Sequence, residues 1–374
     1  MHIKTVSMPI YMDRHDVSET VTAENVAQLH QQDLKVEHEF GCRGLTYWFD
    51  EKRKTAFCLI EAPNEQAVLN MHNHAHGEVP HRIIEVDDSI VESFLGRIED
   101  PVKAQNTKLN IINDPAFRTI MVAGFNKPFL KESSINKIND SLRNFINLCV
   151  ETITKFNGSL VKHSDNCFLV SFVSVTKAVL CALELQSKYK NVIDKPRTAN
   201  LEFNIGVGAG VPVTDKDGFF EDTIKFTKWM HGSVTGQIVL SQEVKELYES
   251  ENLDVFINDE FIRVLSLSEV KFLTILMDYI ERNWNNTDLK VDDFSKELGY
   301  SKSQLYRNMI SLMNKSPNNF LKDYRLNKSL KLLKNHNENI SEISFKTGFN
   351  SPAYFTKCFK KKYGLSPSDY FRES

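Results

Sequence analysis

Apolar residues recur along this chain in three rhythms, and the changes of rhythm divide it. From about Met8 to Val86, short alternating runs flank two helical stripes. MPIYMDRH alternates as a strand, and Thr22 is placed to cap a helix from Ala23 to Leu34. LTYWFD and TAFCLIEA read as two strands joined by the turn EKRK. Asn64 is placed to cap a second helix, Glu65 to His74, and RIIEV closes the series. The order strand, helix, strand, strand, helix, strand predicts an antiparallel sheet with its helices on one face. A polar connector holding Pro101, Pro115 and the run KAQNTK extends from Asp87 to about Phe117.

The middle rhythm runs from Arg118 to about Leu265. TIMVAGF is an apolar strand. Ile138, Leu142, Phe145, Ile146, Cys149, Val150 and Ile153 form a helical stripe within Ile135–Phe156. A turn at Asn157-Gly158, a hairpin across SLVKHSDNCFLVSF, a helix from Thr176 to Tyr189 and strands in LEFNIGVGAGVPV and QIVLS follow. The last rhythm, Lys271 to Ser374, predicts no strand and about seven helices broken by Gly, Asn and Ser-Pro. The expected fold is therefore multidomain: α+β over 1–100, α+β over 115–265 and all-α over 271–374.

Composition narrows the classes. The 374 residues are 41% hydrophobic and 25% charged, as in ordinary globular chains. Six cysteines form no CxxC pair or disulfide framework, no signal-peptide core opens the chain, and no run of about 18 apolar residues could span a bilayer. A cytoplasmic setting without membrane attachment is expected. The net charge of −3 is uneven: from Ile275 onward there are 17 Lys and Arg against 11 Asp and Glu, a surplus of cations at one end. That end is where a polyanion would bind.

The same end contains an internal repeat. DDFSKELGYSKSQLYRNMISLMNKSP is followed by SEISFKTGFNSPAYFTKCFKKKYGLSP, and an offset of fifty residues pairs Ser301 with Ser351, Leu305 with Phe355, Met309 with Phe359 and Pro317 with Pro367. In each copy a short helix stops at a glycine, Gly299 or Gly348, where φ must turn positive. Ser301 or Ser351 then caps the next helix. Leu305, Met309 and Leu312 face inward in the first copy, Phe355 and Phe359 in the second. The outward faces show Lys302, Ser303, Tyr306, Arg307 and Ile310 in one, and Ala353, Thr356, Lys357, Lys360 and Lys361 in the other. Such a face fits a major groove and reaches base edges, while Lys361 and Lys362 extend it toward phosphates. A long helix, Phe320–Lys334, joins the units so that they read successive groove segments of double-stranded DNA.

In these motifs the chain resembles the AraC/XylS transcription regulators. GFNSPAYFTKCFKKKYGLSPSDYF and DDFSKELGYSKSQLYRNM carry the likeness, over about 100 residues. The resemblance implies a seven-helix, two-unit DNA-binding domain controlled by the rest of the chain. One departure is Asn314, where the family usually has Gly; Asn tolerates the left-handed conformation.

The middle stretch is similar to class III nucleotide cyclase domains through GSLVKHSDNCFLVSF, SVTKAVLCALELQ, NIGVGAGVPV and GFFEDTIKFTKWM. The chemistry does not carry over. Gly124 stands where the first metal carboxylate belongs and Asn166 where the second belongs, with Asp165 beside it. Lys225 and Trp229 replace the Asn and Arg that act in the transition state, and only Lys162 matches a base-contacting lysine. A degenerate cyclase fold that dimerises or binds a small-molecule effector is expected, not an enzyme. The glycines of IGVGAG lie in a strand and not before a helix, so they suit close packing rather than a phosphate.

Eight of the eleven histidines lie at or before His81. His72 and His76 are i, i+4 on a helix, a spacing that suits two imidazole ligands on one transition metal. His15 and His30 could complete the set, with His38 and His81 as further candidates. With YMDRHD, LTYWFD, FCLIEAP and HNHAHG, this segment resembles a small family of ferredoxin-like domains described as nickel-binding. That likeness implies Ni2+ or another transition metal as the ligand. The expected protein is a homodimeric, metal-responsive or effector-responsive, sequence-specific transcription regulator. The rival readings are a nucleotide cyclase joined to a DNA-binding tail, and a metal-buffering protein.

Overall fold

The computed structural model describes residues 8–102, 108–125, 136–164, 167–192, 202–235, 238–252, 260–335 and 337–373. Asp165, Asn166 and most of KAQNTK lie outside them.

The first unit consists of β1 (Ile10–Asp16), α1 (Ala23–Val36), β2 (Arg43–Asp50), β3 (Thr55–Glu61), α2 (Glu65–Ala75) and β4 (Arg82–Val86). Its strands lie in the order β2-β3-β1-β4, all antiparallel. Both helices start as their sequences direct. The Thr22 side chain accepts from Asn25 N–H in a capping box, and Asn64 accepts from Ala67 N–H. The connector is more structured than its polar composition suggests. Its first part is α3 (Asp88–Leu95), capped by Asp87, with Val91, Phe94 and Leu95 buried.

The second unit contains β5 (Arg118–Phe125), α4 (Asn136–Lys155), β6 (Ser159–Ser164), β7 (Cys167–Phe172), α5 (Val175–Val192) and β8 (Phe203–Gly210). It continues through α6 (Glu221–Ser233), β9 (Ile238–Leu240), α7 (Gln242–Glu251) and β10 (Ile262–Val264). The sheet order is β10-β9-β8-β5-β7-β6. Within it, β8-β5-β7-β6 repeats the order β4-β1-β3-β2 of the first sheet, so the chain folds the same βαββαβ topology twice. One face of the second sheet packs on α4, α5 and α7 in an apolar core that includes Met121, Phe145, Phe168 and Val207.

The other face is shared. Met12, Trp48, Phe57, Leu59 and Ile84 from the back of the first sheet form one core with α3 and with Ile120, Val213 and Phe220. Arg118, almost fully buried, holds this junction by donating to the carbonyls of Phe94, Leu95, Pro115 and Phe117. Beside it lies α6, packed so closely on β8 that a Cβ at Gly206 would stand 2.6 Å from the Thr227 carbonyl oxygen. The glycines of IGVGAG thus serve close packing, against a helix rather than another strand.

Seven further helices follow: α8 (Leu267–Asn283), α9 (Val291–Leu298), α10 (Lys302–Met313), α11 (Pro317–Asn335), α12 (Ile340–Lys346), α13 (Pro352–Tyr363) and α14 (Pro367–Glu373). No strand occurs among the described residues of this region. The first helix begins at Leu267, four residues before the stretch the hydrophobic pattern delimits. Ser266 caps it in a capping box with Glu269.

Candidate nucleic-acid interface and metal centre

The two repeats fold alike. Gly299 ends α9 at φ 70°, and Gly348 follows α12 at φ 81°. At Gly348 a side chain would be excluded twice: the backbone is left-handed, and a Cβ would meet the Trp284 carbonyl oxygen at 2.8 Å. Ser301 accepts from Gln304 N–H and Ser351 from Tyr354 N–H, so both α10 and α13 are capped by the expected serines. Leu305, Met309, Leu312, Phe355 and Phe359 are buried, as their spacing requires. Asn314 adopts φ 51° and ends α10, as Gly364 ends α13 at φ 87°.

The outward faces are correspondingly free of core contacts. Lys302, Ser303, Tyr306, Arg307, Ala353, Lys357, Lys360 and Lys361 are exposed, and Thr356 is half-buried. Lys302 forms a surface ion pair with Asp292 at 2.7 Å. One expected contributor turns away. Lys362 folds back onto α11, 2.9 Å from the Asp323 carbonyl and 2.8 Å from Asn327 Oδ1, so it buttresses the second unit. Tyr354, about half exposed on α13, was not singled out by the sequence pattern and shares the outward face.

The histidines meet on the helix-covered face of the first sheet. Alternation along β1 sends Asp13 and His15 toward α1 and α2, and Met12 toward the second unit. On the neighbouring strand β3, Cys58 N–H donates to Asp13 Oδ1 at 2.8 Å. From α2, His72 places Nε2 2.8 Å from Asp13 Oδ2 and Nδ1 3.1 Å from Asp33 Oδ1 on α1. His76 Nε2 lies 3.1 Å from the same Asp33 oxygen and 3.3 Å from His72 Nδ1. His15 Nε2 is buried and 3.4 Å from Asp13 Oδ1 without making a hydrogen bond.

Burial acts against charge on His72, but its hydrogen bonds to Asp13 and Asp33 outweigh that penalty and raise it to about 10. Burial would likewise raise Asp13, yet His15 and His72 hold it well below the usual carboxylate range. Cys58 is pushed well up by burial and the nearby carboxylates. A cavity of about 350 Å³ opens beside the cluster, walled by His15, Cys58, His72, His76, Asp33 and the apolar Val21, Val26 and Leu29.

The expected set of four histidines is not what the fold assembles. His15, His72 and His76 converge, whereas His30 turns its Nε2 to Asp100, 3.2 Å away, and joins neither donor cluster. His81 lines the cavity but accepts from Asp16 N–H. The donors that sequence reasoning missed are Asp13, Asp33 and Cys58. Acidic residues are common and one cysteine forms no motif; only the pairing of β1 with β3 and the crossing of α1 over α2 bring them in. The mixture of imidazole, carboxylate and thiol donors suits borderline transition cations better than Ca2+ or Mg2+. The buried Nε2 of His15, which has only the long 3.4 Å approach to Asp13, is the feature such an ion would satisfy.

Of the positions compared with cyclase catalytic groups, Gly124, Lys225 and Trp229 are taken up by internal contacts, and Asn166 lies outside the described residues. Gly124 offers its carbonyl to His231, which burial lowers to about 4. Lys225 lies 2.8 Å from Asp278 and 3.2 Å from Glu281, and Trp229 Nε1–H donates to Glu281, so both fasten α6 to α8.

Comparison with known proteins gives two family matches. Residues 11–86 match the family described as "Nickel responsive protein SCO4226-like", and residues 294–373 match one described as "Helix-turn-helix domain". Among curated proteins, "Histidine kinase P4" of Formosa agariphila is 38% identical over 109 residues, 29% of this chain and 8% of that protein. An "Uncharacterized HTH-type transcriptional regulator YdeC" of Bacillus subtilis is 32% identical over 96 residues, 26% of this chain and 31% of that protein. The chain thus spans less than a third of the length of either. Among solved structures, SCO4226 from Streptomyces coelicolor A3(2) is 34% identical over 21% of this chain and 94% of that one, with a TM-score of 0.20.

Proposed function

We propose that this chain, which carries an AraC-type helix-turn-helix domain behind an N-terminal SCO4226-like domain, is a one-component transcription regulator that binds specific double-stranded DNA. In this reading 1–100 sense a transition metal such as Ni2+, 115–265 relay the signal and dimerise, and 271–374 bind the operator in the cytoplasm. The observation that carries it is the pair of serine-capped helices, α10 and α13, on duplicated scaffolds with polar and cationic residues outward. Ser303, Tyr306 and Arg307 in one, and Ala353, Thr356 and Lys357 in the other, stand on the turns that would meet base edges. Lys302, Lys360 and Lys361 would meet phosphates.

The metal would be held by donors from Asp13, His15, Asp33, Cys58, His72 and His76, and would supply a Lewis-acidic charge that draws β1, β3, α1 and α2 together. A bound ion shifts promoter affinity only by as much as it prefers one arrangement of these elements. A continuous path of packing contacts supports such a relay. β1 and β3 carry donors on one face, and on the other they share a core with Val213 and Phe220 at the approach to α6. That helix packs on α8.

A nucleotide cyclase is the less supported reading, because Gly124, Lys225 and Trp229 are spent on internal contacts. The test is genome-wide footprinting with and without added nickel. Discrete occupied sites whose occupancy changes with nickel support the proposal. No discrete site would refute it, and tight nickel binding without change in DNA occupancy would favour metal buffering.

A further inference from the structure

The last carbonyls of a helix have no partner within it and carry its negative end. In α13 that end is closed locally, where Gly364 N–H donates to the Lys360 carbonyl. The end of α10 is closed in the same way, by Asn314 N–H on the Ile310 carbonyl. It also receives donors from distant parts of the chain. The Leu312 carbonyl accepts from Thr235 N–H at 2.9 Å and from Thr235 Oγ1 at 3.1 Å, and Arg263 Nη1 lies 3.3 Å from it and 3.2 Å from the Ser311 carbonyl. The same Nη1 reaches Thr235 Oγ1 at 2.9 Å and the Thr235 carbonyl at 3.1 Å, while Nη2 pairs with Glu269 at 2.8 Å. Glu269 in turn completes the capping box that starts α8. One guanidinium on β10 thus ties the segment after α6 to the end of α10 and the start of α8.

We propose that Arg263, together with Thr235, is a positioning residue for DNA reading: it fixes the tilt of α10 against the six-stranded sheet and so sets the separation and rotation of the DNA segments that α10 and α13 read. This rests on the DNA-binding reading given above and names the residues that govern its geometry.

Three observations carry it. The contacts lie at the end of α10 away from Ser303, Tyr306 and Arg307, so they leave the outward face free and act through the direction of the helix. The buried side of α10 is held by Leu305, Met309 and Leu312. Apolar packing of that kind has no preferred direction, whereas hydrogen bonds from a charged donor are directional and stronger. Finally, closing the helix does not require them, since Asn314 already ends α10 as Gly364 ends α13. The lever is long enough to matter. A pivot of about 10° at the held end moves Ser303 by about 2 Å, which separates a made from a lost hydrogen bond at a base edge.

The experiment uses the full-length chain. Duplexes that it binds are selected from a randomised library, and the best is rebuilt with one base pair inserted or deleted between the two protected groove segments. One base pair changes their separation by about 3.4 Å and their rotation by about 34°. The unaltered chain should lose about tenfold in affinity on either change. Arg263→Lys keeps the charge without the fork, and Thr235→Val removes only the hydroxyl. Arg263→Lys should weaken binding to the best duplex about tenfold, and both variants should narrow the spacing penalty to about threefold or less. The salt slope should not change, because Arg263 meets no phosphate in this arrangement. Arg307→Ala should weaken binding while keeping the spacing penalty. Circular dichroism and melting accompany each variant, and Thr235→Val decides where Arg263→Lys fails to fold. Variants that melt earlier but keep the spacing penalty overturn the proposal, as does an unaltered chain indifferent to spacing. Failure of the unaltered chain to select any duplex overturns the DNA-binding reading itself.

Discussion

The two helix-turn-helix units have the same serine caps and the same burial pattern, with one extra residue in the second turn between Gly348 and Ser351, yet they are anchored differently. The first has no core of its own. Leu305, Met309, Leu312 and Met313 pack with α8 and with Trp229, Met230, Val234 and Val239 of the second βαββαβ unit. Arg263 and Thr235 also donate to the carbonyl of Leu312 at the end of α10. The second unit closes its own core around Leu326, Leu333, Ile343, Phe349, Phe355 and Phe359. It touches the rest through α11 and through Arg325, which donates to the carbonyls of Trp284 and Asn286. The lesson is that a duplicated motif need not have duplicated mechanics. In the proposed function, a signal reaching α6 would act directly on α10 and only through α11 on α13.

The largest effect expected from this difference is on stability. Phe355→Ala should cost about 3–5 kcal/mol and loosen α12, α13, α14 and the end of α11 they pack on, without reaching α6 or α8. Leu305→Ala should lower protection of α6 and α8 as well as of α9 and α10. Hydrogen exchange by mass spectrometry distinguishes the two, and equal spread from both variants would break the comparison.

Acid should separate the units next. His231 lies on α6 with a buried, unpartnered Nε2, and its folded value of about 4 is below the usual 6.5. Between those limits the unfolded chain binds the proton that the folded chain refuses. Stability is therefore full above pH 6.5 and falls as pH drops toward 4, by at most about 3 kcal/mol. Exchange in α6 and α8 should rise over that range before exchange in α13, and His231→Gln should remove the difference.

Smaller effects concern DNA. Arg307→Ala and Lys357→Ala should each weaken operator binding by about 1–3 kcal/mol if they meet bases. A phosphate contact would instead lower the salt slope by about 1 without changing sequence preference. Fluorescence anisotropy across a salt series reads both, and unchanged binding by the double variant would remove these faces from the interface. The smallest expected change is at the equivalent helix ends. Asn314→Ala should cost about 1 kcal/mol, because the Cβ crowds the following carbonyl at positive φ and Ala lacks the short polar side chain with which Asn offsets that strain. Asn314→Gly, which makes the first unit like the second, should cost none by thermal denaturation.

Legibility differed between the two candidate sites. The outward faces of α10 and α13 were readable because capping, turn and burial are local: Ser301, Gly299 and Leu305 act within two helical turns, and their spacing fixes which neighbours face outward. The candidate metal donors were only half readable. His72 and His76 share a helix and could be paired from spacing, but Asp33, Asp13 and Cys58 come from three other elements. His30 has the right spacing on α1 and the wrong destination, because Asp100 in the connector reaches it first.

From the amino-acid order alone came the starts of α1, α2, α10 and α13, the strand alternation of the first unit, the repeat of fifty residues and the outward faces of α10 and α13, since each follows from interactions a few residues long. Tertiary structure decided what those elements rest against. The pairing of β1 with β3, the contact of α1 with α2 and the docking of α8 on α6 join residues such as Asp16 and Thr55, Asp33 and His72, and Lys225 and Asp278, 39 to 53 positions apart. No periodicity records such meetings, because chain entropy and side-chain packing select them only once whole faces are buried together.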